Sequence, residues 1–143
     1  MIRSFYLLLL LPYFLVAENN CHPDYDALMA LYNATDGDNW TNKTGWEDGA
    51  QNTNCDVCTW YGVTCGFQGR VFQLQLMQNN LNGTLPAAIG SLSTLSSLTI
   101  AENPRLSGAI PAQITNLREL IFLSLDQNQL TGTIPVQMTR LSK

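Results

Sequence analysis

Apolar and polar positions in the second half of the chain repeat one pattern three times, within residues 71–143. The period is 24 residues from Leu74 to Leu98 and 25 residues from Leu98 to Leu123. Each copy opens with apolar and polar residues in alternation, which predicts a short strand with one buried face. Each copy then closes with apolar residues three positions apart, which predicts a short helical segment. The pattern therefore predicts an α/β protein built from stacked strand-and-helix units.

Three further residue types recur in register with these leucines. An asparagine follows each strand, and its amide can bond backbone groups that the turn leaves unpaired, so we expect a buried asparagine ladder. A glycine then allows a backbone geometry or a close approach that a Cβ would hinder, and a proline suits the start of a helical or 3₁₀ segment. The asparagines are Asn79, Asn103 and Asn128, the glycines Gly83, Gly108 and Gly132, and the prolines Pro86, Pro111 and Pro135.

The repeated motif Leu-x-x-Leu-x-Leu-x-x-Asn-x-Leu, followed by Leu-x-Gly-x-Ile-Pro, resembles the plant-type leucine-rich repeat. That repeat occurs in ectodomains of leucine-rich-repeat receptor kinases and in polygalacturonase-inhibiting proteins. The first copy departs from the motif, because Leu85 stands where the others have isoleucine. The resemblance covers about residues 24–141. It implies a right-handed solenoid with a short parallel sheet on its concave face and a disulfide-bonded N-terminal helical cap.

Residues 18–70 resemble the cap that precedes such repeats, and residues 58–65 carry its most specific motif, with Cys, Trp, Gly-Val and Cys at the family's spacing. Residues 23–33 read as a helix with an apolar stripe. We expect Trp40 and Trp46 to cover the end of the first repeat's core, since a solenoid needs a cap. A sugar-binding aromatic platform is the alternative for these two side chains.

Four cysteines after an export signal predict two disulfides in one of three pairings. The family resemblance implies the pairs Cys21–Cys55 and Cys58–Cys65. The rival interpretation is a zinc site made by Cys55, Cys58, Cys65 and His22, which an oxidising compartment disfavours. His22 is the single histidine of the sequence, and we expect it to be exposed near the new N-terminus.

The first 17 residues read as a secretory signal peptide, because Arg3 precedes a short apolar run that ends at Ala17. Pro12 interrupts the run, which is too short for a membrane span, although a retained anchor is the alternative. No other stretch is apolar enough to cross a bilayer. We therefore expect a secreted or extracellular protein, at the cell surface if the gene continues beyond Lys143.

Four Asn-x-Thr sequons agree with export, since each is a glycan acceptor in a secreted chain. The acceptor residues are Asn33, Asn39, Asn42 and Asn82.

Charge and composition exclude several functions. The formal charge is −4 and charged residues make up 13% of the chain, which gives no electrostatic basis for binding nucleic acid or an anionic membrane. A lone histidine beside a cysteine offers no general base, so we expect no catalysis, and nothing indicates a cofactor. Asp36 and Asp38 read as a turn, because the other ligand positions of a calcium loop are missing. We expect no metal site.

We expect the binding site on the solvent side of the strands, where a protein or peptide ligand would contact three columns of side chains. Apolar contact area and charge would come from flanking positions of the same face. The candidate residues are Phe72, Gln73, Gln75, Met77, Ser97, Thr99, Glu102, Phe122, Ser124 and Asp126.

Three function classes remain open. The first is a receptor-like ectodomain for signalling or adhesion, which requires this chain to be part of a longer protein. The second is a secreted inhibitor of a cell-wall-degrading enzyme. The third is an ice-binding or structural solenoid, in which Thr84, Ala109 and Thr133 would form an interrupted row.

The sequence stops at Lys143, where the next strand would begin, and we therefore expect three repeats without a C-terminal cap. An uncovered last repeat would leave apolar side chains and an open sheet edge. This predicts fraying of the third repeat or end-to-end self-association.

Overall fold

The computed structural model describes residues 22–47, 56–135 and 138. The predicted signal peptide, Cys21, Cys55 and Leu141 lie outside the described residues. One α-helix, α1, spans Tyr25–Ala34 and begins two residues later than predicted. The strands are β1 Val63–Cys65, β2 Val71–Gln75, β3 Asn82–Thr84, β4 Ser97–Thr99, β5 Arg105–Ala109, β6 Phe122–Ser124 and β7 Gln129–Thr131.

The first sheet has the strand order β1-β2-β4-β6. Strands β2, β4 and β6 run parallel, and Leu74, Leu98 and Leu123 lie opposite one another. Equivalent positions of the three repeats are therefore in register, which accounts for the predicted parallel sheet. Strand β1 from the cap adds an antiparallel edge, with Val63 opposite Leu74, and this reversal was not predicted.

A second sheet, which was not predicted, has the order β3-β5-β7 and is parallel throughout. The strand pairing in this sheet is offset by two residues from the alignment of the repeats. Thr84 lies opposite Ser107, whereas the residue equivalent to Thr84 in the second repeat is Ala109. Likewise Ala109 lies opposite Thr131 rather than Thr133. The row of equivalent positions proposed for an ice-binding surface is therefore not a row of directly facing residues.

Short 3₁₀ helices follow the repeat prolines at Ala87–Ser91 and Ala112–Asn116. Pro86 and Pro111 have extended backbones and stand just before these helices, and their carbonyls accept bonds from the Ile89 and Ile114 amides at 3.1 and 3.0 Å. Both isoleucines are buried, as the apolar spacing predicts.

The core runs from the cap into the repeats. Four residues of α1, namely Ala27, Leu28, Leu31 and Tyr32, join the buried leucines of repeats one and two. In the third repeat, Leu123, Leu125 and Leu130 are only partly buried against this core.

The turn after each of the strands β2, β4 and β6 uses a left-handed residue that is not glycine. Gln78, Glu102 and Gln127 have φ values of 52°, 58° and 55°, and each directly precedes a ladder asparagine. From the sequence, a backbone geometry that needs glycine was expected at the repeat glycines and not at these three positions. Gly83 does have a φ of 131°, and a Cβ there would lie 2.1 Å from the carbonyl oxygen of Ala34.

Candidate functional site

The asparagine series holds the turns beyond the strands in place. The Asn103 side-chain oxygen accepts from the backbone amides of Asn79 and Leu81 at 3.0 and 3.1 Å, and its amide donates to the Leu76 and Ala101 carbonyls. Asn128 repeats the arrangement one layer on, accepting from the Asn103 amide at 2.8 Å. Asn79 bonds the cap, since its side-chain oxygen accepts from the Asn42 amide at 2.7 Å.

The strand face is defined as the outward residues of β2, β4 and β6 together with the turn residues that follow them. The structure brings the predicted columns together on this face. Gln73, Ser97 and Phe122 lie opposite one another in register, and so do Gln75, Thr99 and Ser124. The third column consists of Met77, Ala101 and Asp126. Backbone hydrogen bonds just beyond the strands align it, because the Ala101 and Asp126 carbonyls accept from the amides of Gln78 and Glu102.

Large apolar side chains are exposed on the strand face. The exposed fractions of Phe72, Met77 and Phe122 are 47%, 49% and 55%. Ile121, which directly precedes β6, is 78% exposed and was not among the residues predicted from the sequence. The signal was available, because Ile121 occupies the same position of its repeat as Phe72.

The charge on the strand face is acidic. Glu102 accepts from the Gln78 side-chain amide at 2.5 Å, and Asp126 accepts from the Ser124 hydroxyl at 2.5 Å. The Ser124 hydroxyl is the main reason that the pKa of Asp126 lies below its usual value. Among the described residues, no lysine or arginine occupies an outward position on this face.

A shallow depression of about 270 Å³ adjoins the strand face next to Phe72. The hairpin between β1 and β2 forms its wall and carries a fully exposed Phe67. This depression could not be predicted from the sequence, because it depends on the path of the hairpin. Its lining residues are Gly66, Phe67, Gln68, Arg70, Phe72 and Thr94.

An ion pair between the buried Asp24 and the partly exposed Arg70 connects the cap to the start of β2. The Arg70 guanidinium donates from Nε and from its terminal nitrogen to the buried Asp24 carboxylate, at distances of 2.5 to 3.1 Å. The Val71 amide donates to the same carboxylate at 2.8 Å. Asp24 precedes α1 but makes no capping bond with its side chain.

The environment of His22 differs from the prediction. Its side chain is 14% exposed, its Nε2 is hydrogen-bonded to the Gly69 carbonyl, and its Nδ1 accepts from the Asp24 amide at 3.2 Å. The expectation of an exposed histidine was wrong, because the hairpin packs over the ring.

The Cys58–Cys65 disulfide is present, with the two Cα atoms 5.5 Å apart, which confirms that part of the predicted pairing. The other pair, Cys21–Cys55, lies outside the described residues. The rival zinc site is wrong as written, because both sulfurs are bonded to each other and neither is a thiolate.

The cap tryptophans are buried and do not form a sugar-binding platform. Trp40 and Trp46 are 5% and 0% exposed, and their ring centroids are 4.9 Å apart in an edge contact. Trp46 also packs against Tyr32 and Trp60. These rings fill the cap core, which continues into the first repeat.

The Asp36 and Asp38 carboxylates are engaged by the protein's own side chains. Asp36 accepts from the amides of Asn39 and Asn82 at 2.9 and 3.3 Å, and Asp38 accepts from the Tyr32 hydroxyl at 2.8 Å. This arrangement agrees with a structural turn.

The sequon asparagines differ in their surroundings. Asn33, Asn39 and Asn82 are exposed, whereas Asn42 is partly buried and its side-chain oxygen accepts twice from Thr44. Their use as glycan acceptors stays a prediction.

Family models match two parts of the chain. Residues 21–66 match the leucine-rich-repeat N-terminal domain, and residues 119–141 match the leucine-rich repeat.

Curated relatives include receptors and inhibitors from plants. Phytosulfokine receptor 1 of Arabidopsis thaliana is 32% identical over 84% of this chain and 12% of its own length. Polygalacturonase inhibitor 1 of Oryza sativa subsp. japonica is 38% identical over 50% of this chain and 22% of its own length. The chain thus spans less than a quarter of either relative.

Solved structures share the fold. The crystal structure of a plant ice-binding protein aligns with a TM-score of 0.70 and 27% identity, over 85% of this chain and 38% of that one. The BIR2 ectodomain of Arabidopsis thaliana aligns with a TM-score of 0.70 and 29% identity, over 85% and 64%. Within the described ranges of this chain, no helix is long and apolar enough to cross a membrane.

Proposed function

This chain belongs to the plant-type leucine-rich-repeat proteins with an N-terminal cap, and from that membership we propose that it is an extracellular, non-catalytic recognition module. Its ligand is a protein or peptide, and the ligand binds the strand face. The single observation that carries the proposal is the set of exposed apolar side chains at Phe72, Met77 and Phe122, which share the strand face with polar side chains.

The strand face has the composition expected of an interface. Its apolar side chains supply contact area, and Gln73, Gln75 and Thr99 supply hydrogen-bonding groups beside them. Exposed apolar residues are ordinary on any protein, but here three large ones share the strand face with hydrogen-bonding side chains. The receptor relative supports a recognition function, because its name identifies phytosulfokine as the ligand of that protein.

The test uses the secreted chain to capture proteins and peptides from extracellular fluid, followed by titration of each purified candidate. Phe122→Ala combined with Asp126→Ala should weaken binding by about 2 kcal/mol or more if the two residues belong to a hot spot. Gln113→Ala, in the 3₁₀ helix after Pro111, is the control and should leave binding unchanged. A loss caused by Gln113→Ala, with none caused by the double substitution, would place the site elsewhere.

Inhibition of a cell-wall-degrading enzyme is the second candidate function, and similarity to the rice polygalacturonase inhibitor favours it. In that case the ligand is a secreted pectinase, and the same strand face covers part of its surface. Adding the purified chain to a panel of secreted polygalacturonases should slow pectin hydrolysis. If every enzyme keeps its full activity at a saturating concentration of the chain, the inhibitor function is refuted and the receptor-like function is retained.

Ice binding is the third candidate and draws on the similarity to the plant ice-binding protein. The surface in question is the second sheet, where Thr84 lies opposite Ser107 and Ala109 lies opposite Thr131. An exposed arginine at position 105 interrupts the small polar side chains. We therefore rank this function last, and a measurement of thermal hysteresis tests it.

Secretion and self-association complete the proposal. The similarity to a receptor ectodomain and the disulfide between Cys58 and Cys65 support export. Asn33 is the foremost glycan acceptor, because it is exposed at the end of α1. Glycosidase treatment of protein from eukaryotic cells should increase its gel mobility. Sedimentation of residues 18–143 at several concentrations tests end-to-end association through the third repeat.

A further inference from the structure

We propose that reduction of the disulfide between Cys58 and Cys65 by a small-molecule thiol converts this part of the cap into a zinc site. The ligands of the ion are the two released thiolates and the ring of His22. This site differs from the zinc site considered above, because it does not include Cys55 and forms only when the bridge is open. It is independent of the proposed function, since no residue of the strand face takes part.

Potential ligand atoms converge at the bridge. One ligand atom each from His22, Cys58 and Cys65 lies within 4.8 Å of the other two. The Cys58 sulfur is 4.0 Å from His22 Nε2 and 3.3 Å from the Gly69 carbonyl oxygen, to which Nε2 is also hydrogen-bonded. Two thiolates and one imidazole are a common zinc ligand set, and the fourth position is left to water or to the Gly69 carbonyl.

The side chains need little movement to bind the ion. Tetrahedral ligands at about 2.0–2.3 Å from zinc are roughly 3.5–3.8 Å from one another. The Cys58 sulfur and His22 Nε2 are already 4.0 Å apart, so reduction has mainly to separate the two sulfurs. The cysteine Cα atoms are 5.5 Å apart, and rotation of the two side chains can give that separation.

The buried Asp24 carboxylate is positioned to orient the ring of His22. The hydrogen bonds assign the ring proton to Nε2, because Nδ1 accepts from the Asp24 amide at 3.2 Å and Nε2 faces the Gly69 carbonyl. Binding of zinc at Nε2 moves this proton to Nδ1, which lies 3.8 Å from Oδ2 of Asp24. A carboxylate behind the ring fixes the tautomer of a ligand histidine and increases its basicity.

The bridge is accessible to a small reductant. Cys58 and Cys65 are both half-buried, and the His22 side chain is 14% exposed. The pairing of β1 with β2 is irregular between Thr64 and Cys65, so a small shift of Cys65 does not disturb a regular ladder. A thiolate can therefore attack a sulfur of the bridge, and the ion can then reach the opened site.

The reaction balances without a further reagent. Two thiol molecules become one external disulfide, and Cys58 and Cys65 each take up a proton. Zinc then displaces these two protons to solvent, while the His22 proton moves between ring nitrogens with no net change. The ion and the two thiolates together carry no net charge, so this half-buried place is as neutral as it was with the bridge closed.

The experiment follows the ring of His22 by NMR, because it is the single histidine of the sequence. The ¹⁵N-labelled full chain, as secreted or after reduction by a thiol that is then removed under argon, is titrated with ¹¹³Cd²⁺ as a probe for zinc. The reduced chain should bind one equivalent, and the Nε2 signal should be split by coupling to the metal. The oxidised chain should show no change. A metal bound only by Cys21 and Cys55 would leave the ring unchanged.

Matched variants test the ligand set with Zn²⁺ itself. His22→Gln should weaken binding to the reduced chain by about tenfold or more, and Cys58→Ser combined with Cys65→Ser should abolish it. Asp56→Asn is the control and should leave the affinity unchanged, because this exposed carboxylate accepts from the Cys58 amide at 3.2 Å but lies outside the ligand set. Competition with a coloured zinc indicator measures the affinities, and thermal melting checks that each protein is folded.

Several outcomes would overturn the inference. These are equal binding by the oxidised and reduced chains, a His22 ring that the metal leaves unchanged, and full affinity in His22→Gln. A reduced chain that unfolds, and that zinc does not refold, overturns it as well. None of these results bears on the strand face, whose ligand is tested with the oxidised protein.

Discussion

Two regions with the same repeat pattern have different burial. In the first two repeats, Leu74, Leu76, Leu98 and Ile100 are completely buried, whereas Leu123 and Leu125 at the same positions of the third repeat are only partly buried. Repeats one and two each have neighbours on both sides, the first being covered by the cap. Burial in a repeat protein is therefore a property of each interface between neighbours rather than of the repeat sequence itself.

The repeat glycines show the same contrast. Gly83 and Gly132 both have positive φ values, 131° and 83°. A Cβ on Gly83 would collide with the Ala34 carbonyl oxygen at 2.1 Å, whereas on Gly132 its closest neighbour would be the Ala109 Cβ at 3.7 Å. Glycine at position 83 is therefore required both by the close approach of the cap and by its positive φ. At position 132 the positive φ alone requires it.

The largest difference between the regions should come from large-to-small substitutions in their cores. Trp46→Ala removes a fully buried ring from the cap and should cost about 3–5 kcal/mol of unfolding free energy. Leu130→Ala in the third repeat should cost only about 1–2 kcal/mol, because its side chain is partly exposed already. Equilibrium urea unfolding measures both values. Equal losses would contradict the contrast in burial.

The ladder asparagines Asn103 and Asn128 provide a second matched comparison between the regions. Asn103→Ala leaves the buried amides of Asn79 and Leu81 without their acceptor and should cost about 2–3 kcal/mol. Asn128→Ala should cost about 1 kcal/mol, because its surroundings are partly open to water. Hydrogen exchange should accelerate at the Leu81 amide in the first variant and not in the second. Acceleration in both would mean that the layers open together.

The disulfide should contribute less than the cap core. Replacing both Cys58 and Cys65 by serine should cost about 2 kcal/mol, since the loop between them is short. Chymotryptic cleavage after Trp60 or Tyr61 separates the two cysteines, so non-reduced mass spectrometry should find two peptides joined by the bridge. Free thiol at Cys58 in the secreted protein would refute the pairing. The variants of the third repeat do not involve the bridge, and their unfolding free energies provide the reference for this comparison.

The smallest effect concerns alkaline pH and is confined to the cap. Burial, followed by the hydrogen bond to Asp38, raises the pKa of Tyr32 to about 12 from its ordinary value of 10.0. The fold prefers the neutral phenol, so its contribution is complete below about pH 10 and is lost as the pH rises towards 12. Tyr32→Phe should remove this dependence. Thermal melting of both proteins between pH 9 and 12 tests the expectation, which parallel curves would contradict.

The periodic part of the fold could be predicted because the spacing of the repeat determines which residues are equivalent and pair across the sheet. Three copies of one spacing placed Leu74, Leu98 and Leu123 at equivalent positions, and the structure pairs them. The strand-face columns follow from the same alternation. The burial of Trp40 and Trp46 could not be decided from spacing alone, because an aromatic platform and a packed cap use the same residues.

The features that the sequence analysis missed depend on the path of the chain between the repeats. The second sheet begins with Asn82-Gly83-Thr84, a polar segment that contains a glycine and has low strand propensity. The ion pair between Asp24 and Arg70 joins residues 46 positions apart, and no local pattern indicates it. Ile121 is different, because its exposure could have been inferred by aligning it with Phe72.

The left-handed turn residues limit which side chains the strand face can display. Gln78, Glu102 and Gln127 adjoin the ligand columns, yet their backbone conformation disfavours valine, isoleucine and threonine. Gene shuffling or directed evolution of this surface would therefore find a restricted alphabet at these three positions and a broader one at Gln75 and Met77. The most economical library for a new ligand keeps polar, unbranched residues or glycine at the turns and varies the strands.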